Sequence, residues 1–241
     1  MTGTRPAVLV VVAGTGTDVG KTWLAARLLE HWRGAGLSVA ARKPAQSFSP
    51  GEGPTDAEVL GGASGEEPTA VCPPARWYPV AMAPPMAAAA LGRPGPSLAA
   101  LVAELDWPAA AVDVGLVETA GGVRSPQADD GDVVDLVDAV APDHVVLVAD
   151  AGLGTINAVR LTVAALAPGP DHRHPDVVLN RYDPSSDLHR RNLAWLRDVD
   201  AMTVTALTPD GLVALAERLS SPAVQGTRTI LPSLPPTAKR S

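Results

Sequence analysis

The sequence contains very little cysteine and few aromatic residues. Cys72 is the single cysteine among 241 residues, so neither a disulfide framework nor a cysteine-based zinc site is available. Aromatic residues make up 3% of the chain, whereas hydrophobic residues reach 46%. The core must therefore be built mainly from alanine, valine and leucine, a composition that suits a parallel sheet covered by helices.

Basic residues and long apolar runs are also scarce. The chain has 19 Lys and Arg residues against 26 Asp and Glu, and this balance argues against the phosphate backbone of nucleic acid as its main partner. No run approaches the ~18 apolar residues that a membrane span needs. The first apolar run leads into a glycine-rich loop, unlike the order of parts in a signal peptide. We therefore expect a soluble cytoplasmic protein that binds neither nucleic acid nor membrane.

Strand and helix signals alternate along the chain. Strand signals lie at residues 7–13, 38–41, 112–118, 144–149 and 176–180, and helical signals at 22–32, 56–60, 86–91, 132–140, 154–166, 188–196 and 210–219. Repeated strand–helix units predict an α/β fold with a doubly wound, mostly parallel sheet and helices on both faces. We expect one domain over residues 1–221 and a loosely held tail over 222–241.

The strongest motif lies between the first strand and the first helix. It reads Gly14-Thr15-Gly16-Thr17-Asp18-Val19-Gly20-Lys21-Thr22, with five residues rather than the usual four between its first glycine and the glycine before the lysine. The backbone N–H groups of such a loop cradle phosphates. Lys21 would reach the β- and γ-phosphates, and the Thr22 hydroxyl would bind magnesium. The motif predicts a nucleotide site in a fold of the P-loop NTPase type.

Lysine is rare enough for its positions to be informative. The chain has 3 lysines, Lys21, Lys43 and Lys239, against 16 arginines. Lys43 follows the second predicted strand and so lies at the same edge of the sheet as the phosphate loop. A compact, movable ammonium group suits a reacting phosphoryl group better than a guanidinium does. We predict a functional Lys43; the alternative is a surface lysine before Pro44.

Two carboxylates are candidates for binding magnesium together with Thr22. Glu118 ends an apolar strand and precedes Ala120-Gly121-Gly122, so its side chain is expected in the crevice at the carboxyl edge of the sheet. Asp56 lies in the segment Thr55-Asp56-Ala57. The alternatives are a helix N-cap for Asp56 and a salt-bridged strand end for Glu118.

Six motifs, in order, resemble the dethiobiotin synthetase family. They are the long phosphate loop at 14–22, Lys-Pro-x-x-Ser at 43–47, Thr-Asp-Ala at 55–57, Glu-x-Ala-Gly-Gly at 118–122 followed by Pro126, Leu-Gly-x-Ile-Asn at 153–157, and the strand-end Asn180. The resemblance implies a homodimeric ligase that uses ATP, Mg²⁺ and carbon dioxide to close a cyclic urea on the diamine 7,8-diaminopelargonate.

The resemblance also implies roles for single residues. Lys21, Lys43, Thr17 and Ser47 would act in catalysis, the phosphate loop and Asn180 would bind ATP, and Thr22, Asp56 and Glu118 would bind magnesium. Thr155, Ile156 and Asn157 of the partner subunit would receive the far carboxylate of the substrate at a helix N-terminus. Ser47 would bind the substrate by hydrogen bonds, as Thr17 would, to carbamate or phosphate oxygens.

Two departures from the family pattern leave alternatives open. Phe48 replaces the glycine that usually follows the lysine motif, and Pro84-Pro85-Met86 replaces a frequent Ser-Pro-His. A bulky ring beside the diamine pocket would favour a carbamate-activating ligase with another amine or diamine as substrate. A more distant alternative is a partitioning-type regulatory ATPase. It is opposed by Gly16, which stands where those proteins have an additional lysine, and by the acidic balance of the chain.

Overall fold

Six parallel strands form the central sheet of the computed structural model, which describes residues 3–167 and 174–221. In chain order, the elements are β1 (Val8–Gly14), α1 (Lys21–Gly34), β2 (Val39–Arg42), β3 (Gln46–Ser47), α2 (Asp56–Ser64), α3 (Pro68–Val71), β4 (Trp77–Tyr78), α4 (Pro84–Ala90), α5 (Leu98–Ala103), β5 (Val114–Glu118), β6 (Pro126–Ala128), β7 (Gly131–Asp132), α6 (Val133–Val140), β8 (His144–Asp150), α7 (Thr155–Leu166), β9 (Asp176–Asn180), α8 (Asp187–Ala194), β10 (Val204–Ala206) and α9 (Pro209–Leu219). The sheet order is β10-β9-β8-β1-β5-β2.

The sheet is buried on both faces. Alternate residues of β1 point to opposite sides: Val10 packs in a cluster with α1, α2 and α9, whereas Val11 packs in a cluster with α6 and α7. β1 is buried over its whole length, which explains why its sequence is a continuous apolar run and not an alternating one. The predicted doubly wound α/β fold is confirmed.

The sequence signals missed the shortest elements. β10 has three residues, and the two-stranded pairs β3–β4 and β6–β7 contain strands of two or three residues, too short for a periodic pattern to be recognised. The predicted 112–118 strand starts two residues later, at Val114. The predicted tail at 222–241 lies outside the described residues.

Three strands bring several of the predicted site residues to one edge of the sheet. The carboxyl ends of β1, β2 and β5 lie next to one another, because β1 and β2 both pair with β5 in parallel register. α1 and α2 begin at this edge, and α2 is started by Thr55, whose hydroxyl and backbone form a capping box with Glu58. None of the helices in the described part of the chain has the length and apolar character needed to cross a bilayer.

Candidate active site

The phosphate loop joins the end of β1 to the start of α1. Gly20 has a φ of 94°, and a Cβ atom built on it would lie 1.9 Å from Nδ2 of Asn180, so no larger residue fits there. The same Nδ2 donates to the Val19 carbonyl at 2.9 Å. The Lys21 ammonium donates a hydrogen bond to the Gly16 carbonyl of the same loop at 2.9 Å.

Lys43 lies at the centre of the edge and is almost completely buried. Its side chain is 2% exposed, so the alternative of a surface lysine is wrong. Its Nζ atom lies 2.7 Å from Oδ2 of Asp56, 2.7 Å from Oε1 of Glu118 and 3.3 Å from the Thr119 carbonyl. The end of β2 therefore places a cation between two carboxylates.

The two carboxylates also meet the hydroxyl of Thr22. Oγ1 of Thr22 lies 2.9 Å from Oδ1 of Asp56 and 2.8 Å from Oε1 of Glu118, although a hydroxyl has only one proton to donate. The second oxygen of Glu118, Oε2, is buried without a hydrogen-bond partner. Asp56 is not the N-cap of α2, because Thr55 takes that position; Glu118, in contrast, does form an ion pair at its strand end.

This cluster of oxygens fits a magnesium ion. Magnesium is commonly held by one or two carboxylates together with waters and nucleotide phosphates, and it needs no cage made only of protein groups. Within the described residues, no group of three or more His, Cys, Asp and Glu side chains is arranged to hold a metal ion. Glu118 keeps one carboxylate oxygen, Oε2, without a hydrogen-bond partner, and this oxygen is free to act as a ligand atom.

The charges at this edge shift each other's protonation. Burial alone would lower the pKa of the Lys43 ammonium, but the negative charges of Glu118 and Asp56 outweigh it and raise that pKa above its usual value. Burial raises the pKa of the Glu118 carboxyl, against the attraction of Lys43. The pKa of Asp56 is lowered, because its contacts with Lys43 and Thr22 outweigh its burial. The pKa of Lys21 is lowered mainly by burial, and the positive charge of Lys43 lowers it further. Lys43 is therefore held in its protonated form.

A cavity of about 720 Å³ opens onto this edge. It brings together nine of the residues predicted from the sequence: Thr17, Asp18, Gly20, Lys21, Thr22, Lys43, Ser47, Asp56 and Glu118. The Ser47 hydroxyl is buried there without a partner, which leaves it available to a bound ligand.

Some predicted residues lie elsewhere. Phe48 does not line this cavity, contrary to the expectation of a ring beside the pocket; its ring meets Trp77 edge-on, with 6.4 Å between the ring centroids. Thr155, Ile156 and Asn157 are also absent from its lining. Asn157 instead lines a second cavity of about 630 Å³, together with Thr15 and Gly16 of the phosphate loop.

The sequence interpretation missed six residues that line the first cavity: Trp23, Ala81, Met82, Ala83, Ser125 and Arg181. Trp23 directly follows Thr22, and Arg181 directly follows Asn180, so adjacency to predicted residues was the available signal. Met82 and Pro84 show that the segment leading into α4, with the first residue of that helix, forms one wall of the cavity.

The chain is similar to known proteins over most of its length. A family model described as an AAA domain matches residues 9–210. A protein of Anaeromyxobacter dehalogenans (strain 2CP-C), named ATP-dependent dethiobiotin synthetase BioD, is 38% identical over 208 residues, which is 83% of this chain and 90% of the relative. Proteins with the same name from Rhodococcus jostii (strain RHA1) and Haloferax mediterranei are 39% and 36% identical, covering 86% and 82% of this chain and 89% and 82% of the relatives.

Solved structures share the fold at low sequence identity. The chloroplast FtsY of Physcomitrella patens gives a TM-score of 0.50 at 16% identity, over 91% of this chain and 67% of that protein. A duf1611 family protein of Anabaena variabilis gives 0.54 at 14% identity, over 90% of this chain and 58% of that protein. These two similarities support the fold only. The sequence relatives show more than the fold, because they are 36–39% identical over most of both chains. This chain belongs to the ATP-dependent dethiobiotin synthetase family.

Proposed function

We propose that this protein joins 7,8-diaminopelargonate and carbon dioxide, at the expense of ATP, to form dethiobiotin in biotin biosynthesis. The observation that supports it most is the juxtaposition of Lys43, Asp56, Glu118 and Thr22 beside the phosphate loop, in one cavity. The shared name of relatives that match most of this chain supports the same activity.

The reaction needs three bond-forming steps. One amine of the substrate attacks carbon dioxide and loses a proton, which gives a carbamate. A carbamate oxygen attacks the γ-phosphorus of ATP, the bond to the β-phosphate oxygen breaks, and ADP leaves. The second amine then attacks the carbamate carbon, loses its proton, and expels inorganic phosphate as the ring closes. Negative charge gathers around the transferring phosphoryl group and then on the departing phosphate.

Lys43 is suited to stabilise that charge and not to remove a proton. Its raised pKa keeps it cationic, so it acts as a fixed positive charge at the carbamate and the γ-phosphoryl group. Lys21 supplies a second cation from within the phosphate loop. The unpartnered hydroxyl of Ser47 and the exposed Thr17 would donate hydrogen bonds to carbamate or phosphate oxygens. These groups position charged reactants against each other.

Thr22, Asp56 and Glu118 would hold Mg²⁺ in this proposal. The ion would neutralise charge on the β- and γ-phosphate oxygens when bound. Glu118 is positioned for this by β5, whose buried strand carries the carboxylate to the edge of the sheet, and Asp56 by the capped first turn of α2.

The proposal includes a homodimer in which each subunit completes the site of the other. Thr155, Ile156 and Asn157 begin α7 away from the cavity of their own chain, and the Thr155 hydroxyl is buried without a partner. Two large apolar side chains near the start of α7 and within it are exposed, Leu153 at 93% and Leu161 at 66%, as expected for residues that a partner covers. We further propose a single ligase domain over residues 1–221, in the cytoplasm.

A carbamate-activating ligase with another amine or diamine remains the second candidate. It is favoured by Met82 and Pro84, which line the cavity in the segment that departs from the family's Ser-Pro-His pattern. Phe48 gives it no support, because its ring packs on Trp77 outside the lining.

An isotope experiment tests both the activity and the path of the two carbamate oxygens. Purified protein is given ATP, Mg²⁺, ¹⁸O-bicarbonate equilibrated with carbon dioxide, and 7,8-diaminopelargonate. The proposal predicts the mass of dethiobiotin with one heavy oxygen in the urea carbonyl, and one heavy oxygen in inorganic phosphate, above the level explained by exchange with water. Absence of a dethiobiotin mass with this diamine, together with ¹⁸O-phosphate formation with a different diamine, would select the second candidate.

A further inference from the structure

Two successive residues at the end of β9 hold two successive carbonyls of the phosphate loop. Nδ2 of Asn180 donates to the Val19 carbonyl at 2.9 Å, and Nη2 of Arg181 donates to the Asp18 carbonyl at 2.7 Å. The described part of the chain has no cis peptide bond, so the N–H and C=O of each peptide unit point in opposite directions.

This arrangement fixes which way the loop's donors point. When the carbonyls of Asp18 and Val19 face β9, the N–H groups of Val19 and Gly20 face away from it. A phosphate-binding loop requires successive N–H groups on one side, because those donors make its contacts with the anion. Side chains that restrain the carbonyls from behind therefore keep the donors ready for the ligand.

Arg181 also forms an ion pair with a carboxylate of the neighbouring strand. Its Nη1 lies 3.0 Å from Oδ2 of Asp150 at the end of β8, and the other oxygen of Asp150 accepts from the backbone N–H of Gly152 at 2.8 Å. Arg181 has a φ of 54° and Asp18 a φ of 58°, a left-handed conformation that is uncommon outside glycine. The side chain of Arg181 thus holds the backbone carbonyl of a second residue in this conformation.

We propose that Arg181, oriented by Asp150, is a positioning residue for nucleotide binding, which keeps the N–H groups of the phosphate loop aligned before ATP arrives. The inference rests on the proposed function only in that the loop is taken to bind ATP. Arg181 acts through the loop, whatever molecule receives the phosphoryl group.

The direct test is Arg181→Met, measured by calorimetric binding of ATP and of ADP. Loss of a charged donor that orders the loop is expected to raise both dissociation constants by about tenfold. In turnover assays, KM for ATP rises while KM for the diamine stays unchanged. Arg181→Lys, which keeps a cationic donor, is expected to recover part of the affinity.

A matched control exists at the opposite edge of the sheet. Arg5 also bridges a carboxylate and a backbone carbonyl, at 3.0 Å from Asp143 and 3.2 Å from the Ala141 carbonyl. Arg5→Met removes the same kind of contact far from the loop, and it should leave nucleotide affinity unchanged. Equal affinities in Arg5→Met and Arg181→Met would overturn the proposal.

Amide hydrogen exchange in nucleotide-free protein separates positioning from direct ligand contact. Positioning predicts faster exchange across the phosphate loop in Arg181→Met and in Asp150→Asn, which keeps an acceptor for Gly152. Unchanged exchange in both variants would overturn the proposal. Since binding and exchange do not depend on dethiobiotin being made, a wild-type protein that binds ATP but lacks that activity would refute the proposed function and leave this inference testable.

Discussion

Two cations stand next to each other at the end of β2, and both are buried, but they have opposite surroundings. Arg42 is 4% exposed; its guanidinium donates to the Asp106 carbonyl at 2.6 Å and to Glu66 at 2.8 Å, and it stacks on Trp107 at 5.0 Å. Lys43 is 2% exposed and faces the cavity. One cation is enclosed by protein on all sides, and the other lies in the wall of a cavity.

We propose that this difference separates a structural cation, Arg42, from a functional one, Lys43. Arg42 has one carboxylate, Glu66, which is itself satisfied by the Ala41 N–H at 2.7 Å. Lys43 has two carboxylates, and one of them keeps a buried oxygen without a partner. Buried polar groups in a finished fold are usually paired, so an incomplete cluster beside a cavity indicates a place for a ligand. Four sets of variants test this comparison.

The largest effect is expected for Lys43→Met. Removing one preorganised positive charge should lower kcat by about 10²- to 10³-fold, the range seen for loss of a donor to a developing negative charge. ATP affinity should be largely kept, because the phosphate-loop contacts do not involve Lys43. Rapid-quench measurement of ADP formation and calorimetric binding of ATP check the two halves.

The fold should survive the loss of Lys43. Glu118 already has a raised pKa and can take up a proton, and the Asp56 side chain is 36% exposed and can be hydrated. Thermal unfolding monitors this. A variant that turns over at the wild-type rate would remove Lys43 from the chemistry.

Arg42→Met should show the reverse pattern. It leaves Glu66 and the Asp106 carbonyl without their shared donor, which should lower the free energy of unfolding by about 3 kcal/mol. The kcat per folded molecule should not change, because Arg42 does not line the cavity. Urea unfolding and activity normalised to folded protein measure the two quantities. A large loss of kcat in folded Arg42→Met would end the distinction between the two cations.

Glu118→Gln tests the magnesium part of the comparison. Replacing a ligand oxygen by a neutral amide should raise the half-saturating Mg²⁺ concentration by at least about tenfold. Stability without magnesium should not fall, since two carboxylates share the Lys43 ammonium and Asp56 disfavours ionisation of Glu118. A magnesium titration of turnover and thermal unfolding in EDTA give the two values.

Glu66→Gln is the control for that experiment. It weakens the pair with Arg42 and should cost stability without changing the magnesium requirement. Equal magnesium titrations for the two variants would argue against Glu118 as a ligand.

The smallest effects are expected at the cavity wall and behind it. Met82→Ala should raise KM for the diamine by up to about tenfold, since lost apolar contact in a pocket has effects of that order. Phe48→Ala should leave that KM unchanged and cost about 1–2 kcal/mol of stability through its contact with Trp77. Steady-state kinetics and urea unfolding of both variants check this. A changed diamine KM in Phe48→Ala alone would restore the ring as a pocket residue.

Much of this arrangement could be predicted from the sequence, and the exceptions have physical causes. Continuous apolar runs and the glycine-rich loop predict the sheet and the nucleotide site, because burial on both faces and tight turns demand those residues. The presence of Lys43 and Glu118 at this edge of the sheet could be predicted because each residue lies at the end of a strand. β10 is too short to give a pattern, and the orientation of Phe48 depends on Trp77, 29 residues later in the chain. Arg181 lies beside the phosphate loop because β9 pairs with β8, and the sequence pattern does not reveal which strands pair.

The proposed activity is tested most directly by ADP release from the purified protein with ATP, Mg²⁺ and bicarbonate, in the presence and absence of 7,8-diaminopelargonate. A dethiobiotin synthetase releases ADP only with the diamine, in an amount that matches the dethiobiotin formed mole for mole. ATP binding with ADP release that is the same without the diamine would contradict the proposed activity, and would favour a regulatory ATPase built on the same sheet.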